Sequence, residues 1–354
     1  MKRLFLYMFW MVMIMAVPVV VQAQNYNRLW KEVEELTKKD LPRSVIEKTN
    51  EIYSLALKSR NLPQMMKSFI VRTEYKAKLS PDSVEAQMVF LKDWADNETD
   101  ITARAVLNSI LAKTCLEQSP VKTDSVLHYF RLSLTDKETL SDVSAEKFHP
   151  VVISEDISRM YFNDNMYDFL ARQAINGLIS CYDNSRTEDI AGEIIFIYDS
   201  LISLYSEGKH ADRSACALTE EAKLVYLSEH CNSSKYRISY DESVKALESL
   251  SSKYKDLEVY CDISLKLADK YRQKERFVDA VSVIDKALAL YPETRWTKDL
   301  KGMKDLILQP SLNVRLSFVY PGYETDMTVN YKNLTDLKVE TYRLALSPSS
   351  PYLH

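Results

Sequence analysis

The chain has 354 residues, of which 46% are hydrophobic and only five are glycine, and its formal net charge is −4. This apolar content can bury a sizeable core, which excludes an intrinsically disordered chain. The slightly acidic balance, with no run of basic residues, gives no reason to expect a nucleic-acid partner.

The first 23 residues have the pattern of a secretory signal peptide. Two basic residues precede an apolar run from Leu4 to Val21, and the triplet that ends at Ala23 has the small-x-small form of a cleavage site. We therefore expect cleavage after Ala23 and export to the periplasm, the cell envelope or the medium. The alternative is an uncleaved anchor, because a run of about 18 apolar residues is at the short limit of a membrane span.

Residues 24–140 predict a series of N-terminal helical hairpins. Apolar residues between Val45 and Ala56 recur at helical spacing and form one face. Short turns that contain a proline separate segments of this kind, which is the pattern of antiparallel helix pairs. A polar residue precedes each of these prolines, and the predicted helix starts are therefore Asp40, Asn61 and Ser80.

Residues 141–166 interrupt this periodicity. The stretch has no helical spacing, and Pro150 lies near its start. A connection of this length inside a compact region is often functional or strongly packed. We expect an ordered connection whose aromatic residues pack against the helices: Phe148, Tyr161 and Phe162.

A second helical region is predicted over residues 167–308. Its best-defined unit spans residues 261–292 and resembles the tetratricopeptide repeat in its spacing of small and large residues, ending in a proline. The small residues let two helices approach, the large ones fill the groove, and the proline stops the second helix. The repeat positions are Leu267, Ala268, Tyr271, Ala280, Ile284, Ala287 and Pro292. One repeat cannot bury its own faces, so we expect an α-solenoid, with an irregular helical bundle as the alternative.

Beyond the helical region the apolar period changes to two. Residues 312–320, 327–331 and 337–344 alternate, and a Pro321-Gly322 turn separates the first two segments. We expect two or three strands between Leu312 and Leu344, which cannot close a β-sandwich, because a sandwich takes about seven. The expected fold class is mainly α: helical hairpins of α-solenoid type, followed by a short, incomplete β segment at 311–354.

No catalytic, cofactor-binding or metal-binding residue is predicted. The five glycines are too far apart for a nucleotide-binding loop or a G-x-S-x-G turn, and the five histidines never pair at i, i+4 as in H-E-x-x-H zinc sites. The five cysteines include no C-x-x-C pair; we expect them to be buried in helices, with a disulfide as the alternative. The chain is therefore not expected to be an enzyme.

Four short segments resemble a known family. Residues 331–344, Y-K-N-L-T-D-L-K-V-E-T-Y-R-L, and residues 319–322, V-Y-P-G, are similar to the start of the first macroglobulin-like β-domain in large bacterial alpha-2-macroglobulin family proteins. Residues 148–150, F-H-P, and 164–170, D-N-M-Y-D-F-L, resemble the connection inside the helical N-terminal region of that group. The resemblance implies a secreted or cell-envelope protein that traps or inhibits proteases through later domains.

Two functions follow from these patterns. The first is a non-catalytic helical scaffold at the N-terminus of an alpha-2-macroglobulin-like endopeptidase inhibitor, with the β segment as the truncated start of the first macroglobulin-like domain. The alternative is a stand-alone exported adaptor of tetratricopeptide type. Both imply protein partners, namely downstream macroglobulin domains, proteases or envelope proteins, and neither implies nucleic acid or a small-molecule substrate.

One tetrapeptide, Cys115-Leu-Glu-Gln118, matches the C-x-E-Q thioester signature of the same family. In the family the motif follows a glycine in a late helical domain, whereas here Lys113-Thr114 precede it and Ser119-Pro120 end the helix at once. We therefore expect no thioester, and a helix end with Cys115 packed beneath it.

Overall fold

The structure, a computed structural model, describes residues 25–151, 165–181, 187–317 and 324–340. These residues are mainly helical with one short antiparallel sheet, which confirms the expected fold class.

Several predicted features lie outside the described residues. They are the signal peptide with its cleavage site after Ala23, residues 152–164 of the connection, the Pro321-Gly322 turn and the end of the chain beyond residue 340. The chain divides into two compact units, Met1–Ser243 and Val244–His354.

The described residues of the first unit form helices that are joined by turns and short loops. A 3-10 turn at Ala145–Phe148 follows α7, and a π-turn at Tyr226–His230 follows α10. The helices are α1 (25–38), α2 (Pro42–Ser59), α3 (Leu62–Leu79), α4 (Ser83–Asn97), α5 (Ile101–Leu116), α6 (Thr123–Ser133), α7 (Lys137–Ser141), α8 (Met166–Ile179), α9 (Thr187–Ser206) and α10 (Arg213–Val225).

One of the three expected helix starts is confirmed and two are wrong. Asn61 caps α3, because its side-chain Oδ1 accepts a backbone N–H from the first turn at 3.2 Å. Asp40 instead has a left-handed backbone with φ of 52°, and α2 begins at Pro42 without a side-chain cap. The Ser80 carbonyl accepts a hydrogen bond from Ser83 N at 3.0 Å, and α4 begins only at Ser83. Residues 80–83 thus form a turn, in which the Ser80 carbonyl and the Ser83 N–H bond to each other, and the helix starts only at the end of this turn.

Two hydrophobic clusters form the core of the first unit. The smaller cluster is built from α1, α2 and α3, and its buried members include Leu29, Ile52 and Met65. The larger cluster extends from α3 to the π-turn after α10, and Phe130 and Leu170 are fully buried in it. The apolar faces read from the sequence are therefore the faces that the helices bury.

The two ends of the predicted connection meet. Ser144 and Asn165 form an isolated antiparallel bridge, and the Met166 backbone N–H donates to Val143 O at 2.8 Å. Phe148 is 1% exposed and belongs to the larger cluster, where the sequence analysis expected packing. Tyr161 and Phe162 lie outside the described residues.

The second unit combines helices with a hairpin. Its helices are α11 (Tyr240–Lys253), which begins just before the unit boundary, α12 (Tyr260–Gln273), α13 (Phe277–Leu290) and α14 (Thr297–Leu308), and its strands are β1 (Ser311–Leu316) and β2 (Met327–Lys332). The strands pair antiparallel, with Val314 opposite Val329. The two strands agree with the two or three expected between Leu312 and Leu344, and residues 337–340 form no strand. An alternating sequence becomes a strand only where a neighbouring ladder satisfies its backbone, and none is present there among the described residues.

Candidate functional site

The repeat positions of the second unit lie in the contact between α12 and α13. Six of them are buried: Leu267, Ala268, Tyr271, Ala280, Ile284 and Ala287. Ala268, Ala280, Ile284 and Ala287 are completely buried, so the two helices approach as closely as small residues allow. Pro292 is exposed and lies two residues beyond the last residue of α13, where it cannot continue the helix.

A tyrosine joins this helix pair to the preceding helix. The Tyr271 hydroxyl donates a hydrogen bond to Glu248 Oε1 of α11. The Arg276 guanidinium lies over the Tyr271 ring, 4.3 Å from its centroid. Burial, and then the hydrogen bond with Glu248, raise the pKa of Tyr271 to about 12. The neutral hydroxyl is therefore part of the packing between α11 and α12.

The end of α14 is capped by residues of the hairpin. The Lys332 ammonium donates to Leu306 O, and the Asn333 side-chain amide donates to Ile307 O, both at 2.8 Å. These carbonyls belong to the last turn of a helix, which has no partners of its own for them. A lysine also interacts favourably with the negative end of the helix dipole. The hairpin is thus fixed to α14 by two side chains at the end of β2.

The hairpin has one apolar and one polar face. The cross-strand pairs Leu312–Tyr331, Val314–Val329 and Leu316–Met327 alternate with polar pairs along the ladder. Leu316 is 65% exposed and Tyr331 62% exposed, and Val329 is half-buried. Such a face is normally covered by a second sheet or by helices. Within the described residues this apolar face is uncovered. The candidate site is this face together with the Lys332 and Asn333 contacts that cap α14.

Sequence reasoning did not identify Lys332 and Asn333 as helix caps. The two residues are part of the segment 331–344 that resembles a known family, and no structural role was predicted for either of them. The helix that they cap ends 24 residues earlier in the chain, at Leu308. No local spacing rule connects a strand end with carbonyls that far away.

A buried polar network in the first unit was also missed. Asp168 of α8 accepts from Arg172 Nε at 2.5 Å and from the Tyr205 hydroxyl of α9. Arg172 Nη2 reaches Thr219 Oγ1 of α10 at 3.4 Å. The network joins three helices, and an Asp–Arg pair at i, i+4 was the signal that could have revealed it. Its groups are hydrogen-bonded to one another, so it is suited to fixing helices.

The five cysteines lie in the interior of the chain. All five are buried and free of disulfides. Burial raises the pKa of the Cys115 thiol, so the thiolate that acts as a nucleophile is disfavoured there. Cys115 lies in the last turn of α5, as expected. In the part of the chain that the structure describes, no group of three or more His, Cys, Asp or Glu residues could hold a metal ion.

None of the described helices is both long enough and apolar enough to cross a membrane. No model of a known protein family matches the chain, and no curated protein matches it. The likeness to alpha-2-macroglobulin proteins and to tetratricopeptide repeats therefore rests on the segments quoted above.

Proposed function

We propose that the chain is a non-catalytic helical scaffold at the N-terminus of an alpha-2-macroglobulin-like endopeptidase inhibitor. In this role the helices supply no reactive group. They hold the hairpin at one end of α14, so that further β-domains start from a fixed position. The direct partners are those domains, and proteases are partners of the whole assembly.

The uncovered apolar face of the hairpin carries this proposal. An isolated two-stranded hairpin is marginally stable in water, and three or more strands or packing against a helix are needed for independent stability. Here three apolar cross-strand pairs are aligned on one face, and the α14 cap holds their strands in place. A face of this kind supports a role as one layer of a larger β-structure.

A protease assay tests the proposal. The gene product would be purified from the envelope or medium of its natural host, and residues 24–354 would be produced separately. We expect the host-derived product to reduce casein cleavage by a mixture of endopeptidases, and residues 24–354 to have no effect, because the helices supply no reactive group. Inhibition by residues 24–354, or none by the host-derived product, would contradict the proposal.

The buried repeat positions support one alternative, an exported adaptor of tetratricopeptide type. The α12–α13 pair has the close packing that such a repeat requires. An adaptor would bind envelope proteins in cross-linking experiments without any effect on proteases. The same two preparations distinguish the functions, because only the scaffold requires attached inhibitory domains.

A further inference from the structure

A cleft of about 670 Å³ lies in the first unit between α3 and α5, beside α8. Apolar side chains from all three helices line it, among them Phe69, Ile110 and Phe169. Its volume is within the range of about 300–1,000 Å³ that is usual for small-molecule pockets. We call this space the α3–α5 cleft; it contains no residue of the repeat or of the hairpin.

One polar row faces the α3–α5 cleft. Ser109 and Lys113 of α5 line it together with Glu117, which caps the C-terminal end of α5. The three residues are four positions apart, which is about 6 Å per step along a helix. In the described ranges none of these three side chains makes a hydrogen bond or an ion pair. The other charged groups of the lining, Glu74 and Lys78, pair with each other at 2.7 Å.

Lys113 is the one cation of this row. Its side chain is exposed to solvent overall. Partial desolvation beside the cleft lowers the pKa of Lys113, although Glu117 acts in the opposite direction. An ammonium without an ion-pair partner can form a charge-assisted hydrogen bond with an anion. The Ser109 side chain, one turn earlier on α5, is 5% exposed and offers a hydroxyl donor to the same anion.

We propose that the α3–α5 cleft binds a single-chain aliphatic carboxylate, with the carboxylate between Lys113 and Ser109. Lys113 donates a charge-assisted hydrogen bond, Ser109 donates a second bond, and the hydrocarbon chain lies on the apolar wall. Glu117, the residue that follows the last residue of α5, repels a second negative charge. The cleft therefore favours a fatty acid over a dianion such as a phosphate monoester. This inference does not rest on the proposed function.

The experiment measures binding of sodium decanoate to the purified chain by isothermal titration calorimetry. Two ligands with the same chain length serve as controls: decanol, which is neutral, and decyltrimethylammonium, which is cationic. We expect one decanoate per chain, and binding of each control weakened by about tenfold or more, because a hydrogen bond to a charged group contributes about 1.5–3 kcal/mol. Equal affinity for the three ligands would show apolar adsorption only and would overturn the proposal.

Four variants locate the site. Lys113→Gln should weaken decanoate binding by about tenfold, because it removes a charge that attracts the carboxylate. Glu117→Gln should strengthen binding, because it removes a charge that repels the carboxylate. Ala77→Phe, which fills the cleft from α3, should abolish binding while thermal unfolding shows a folded chain. Lys92→Gln is the matched control, since Lys92 pairs with Asp96 at 2.8 Å on α4 and does not line the cleft.

The outcomes separate the possibilities. Loss of affinity in Lys113→Gln with no change in Lys92→Gln supports the site. Unchanged affinity in Lys113→Gln, or absence of decanoate binding, overturns it. If Ala77→Phe does not fold, the opposite effects of Lys113→Gln and Glu117→Gln still decide, because both positions are exposed and tolerate the change.

Discussion

Gly177 lies where α8 approaches α6 and α5. A Cβ atom at this position would be 2.5 Å from the Phe130 ring and 3.0 Å from Leu116 Cδ1. Phe130 is fully buried, so its ring has little freedom to move away. A glycine inside a helix normally costs stability, and here the close approach of neighbouring side chains requires it.

Substitution of Gly177 by alanine should therefore destabilise the chain by about 1–3 kcal/mol, which is the usual cost of overpacking. Gly302 in α14 is the matched control, because a Cβ atom there meets nothing within 4 Å. Gly302→Ala should stabilise by about 0.5–1 kcal/mol through helix propensity. Urea unfolding followed by circular dichroism measures both. Stabilisation by Gly177→Ala would mean that α8 does not approach Phe130 so closely.

Tyr271 gives the fold a dependence on alkaline pH. Its pKa is raised from 10.0 to about 12, first by burial and then by the hydrogen bond with Glu248. Because the folded-state pKa is above the ordinary value, this contribution is complete below about pH 10 and is lost as the pH rises through about 12. We expect Tyr271→Phe to lose less stability than the unmodified chain between pH 9.5 and 11.5. Urea midpoints at the two pH values provide the measurement, and identical losses would contradict the assignment.

The C-terminal end of α14 is stabilised by side chains of the hairpin. Its last carbonyls accept side-chain donors from the hairpin rather than water alone. Asn333 also has a left-handed backbone, with φ of 53°, which asparagine tolerates better than most residues. The hairpin and the helix therefore support each other.

Removal of either cap should loosen the end of α14. Lys332→Ala and Asn333→Gly should each cost about 1 kcal/mol, the typical net value of one hydrogen bond, and glycine keeps the left-handed backbone accessible. Faster amide hydrogen exchange at residues 305–309 is the expected readout. Lys338→Ala removes the same charge at an exposed ion pair with Glu340 and should leave this exchange unchanged. Equal effects of the three variants would argue against capping.

The close contact between α12 and α13 gives a second test at the level of elements. Ala280→Trp should lower the stability of the chain by about 1–3 kcal/mol, because a completely buried alanine leaves no space for an indole ring. Val278→Trp on the same helix is the control, since Val278 is 84% exposed. The urea midpoint should fall only for the first variant. An unchanged midpoint for Ala280→Trp would show that the repeat assignment is wrong.

At the level of the whole molecule, the hairpin differs from the helices because its apolar face is not packed against another layer of structure in the described residues. The first unit has its own core, and α12 and α13 of the second unit bury six of the seven repeat positions. The hairpin instead exposes its apolar face throughout the described residues. The proposed scaffold function requires that this face is covered in the complete inhibitor.

A pair of neighbouring substitutions on β1 tests this requirement. Val314→Asp places a charge on the apolar face, and Asn313→Asp places the same charge on the polar face. In residues 24–354 both changes should be nearly neutral, because both positions are exposed. In the host-derived gene product Val314→Asp should destabilise by about 2 kcal/mol or more and Asn313→Asp should not, since burying an unpaired charge is costly. Equal melting temperatures of the two host-derived variants would show that no other part of the protein covers the apolar face.

The sequence by itself determined the local structure. Helical spacing, the cap at Asn61 and the small residues of the repeat unit depend on neighbours within a few turns, and so does the change to period two near Pro310. The apolar face of the hairpin could be read in the same way, because alternate side chains of a strand always share a face.

Only the tertiary structure decided contacts between distant segments. Residues 337–340 form no strand, because a strand needs a partner strand to pair with. The caps of Lys332 and Asn333 on α14, the network around Asp168 and the α3–α5 cleft each bring together residues that spacing rules cannot relate. Periodicity predicts which face of a helix or strand is apolar. The packing of the whole chain decides which residues of other elements contact that face.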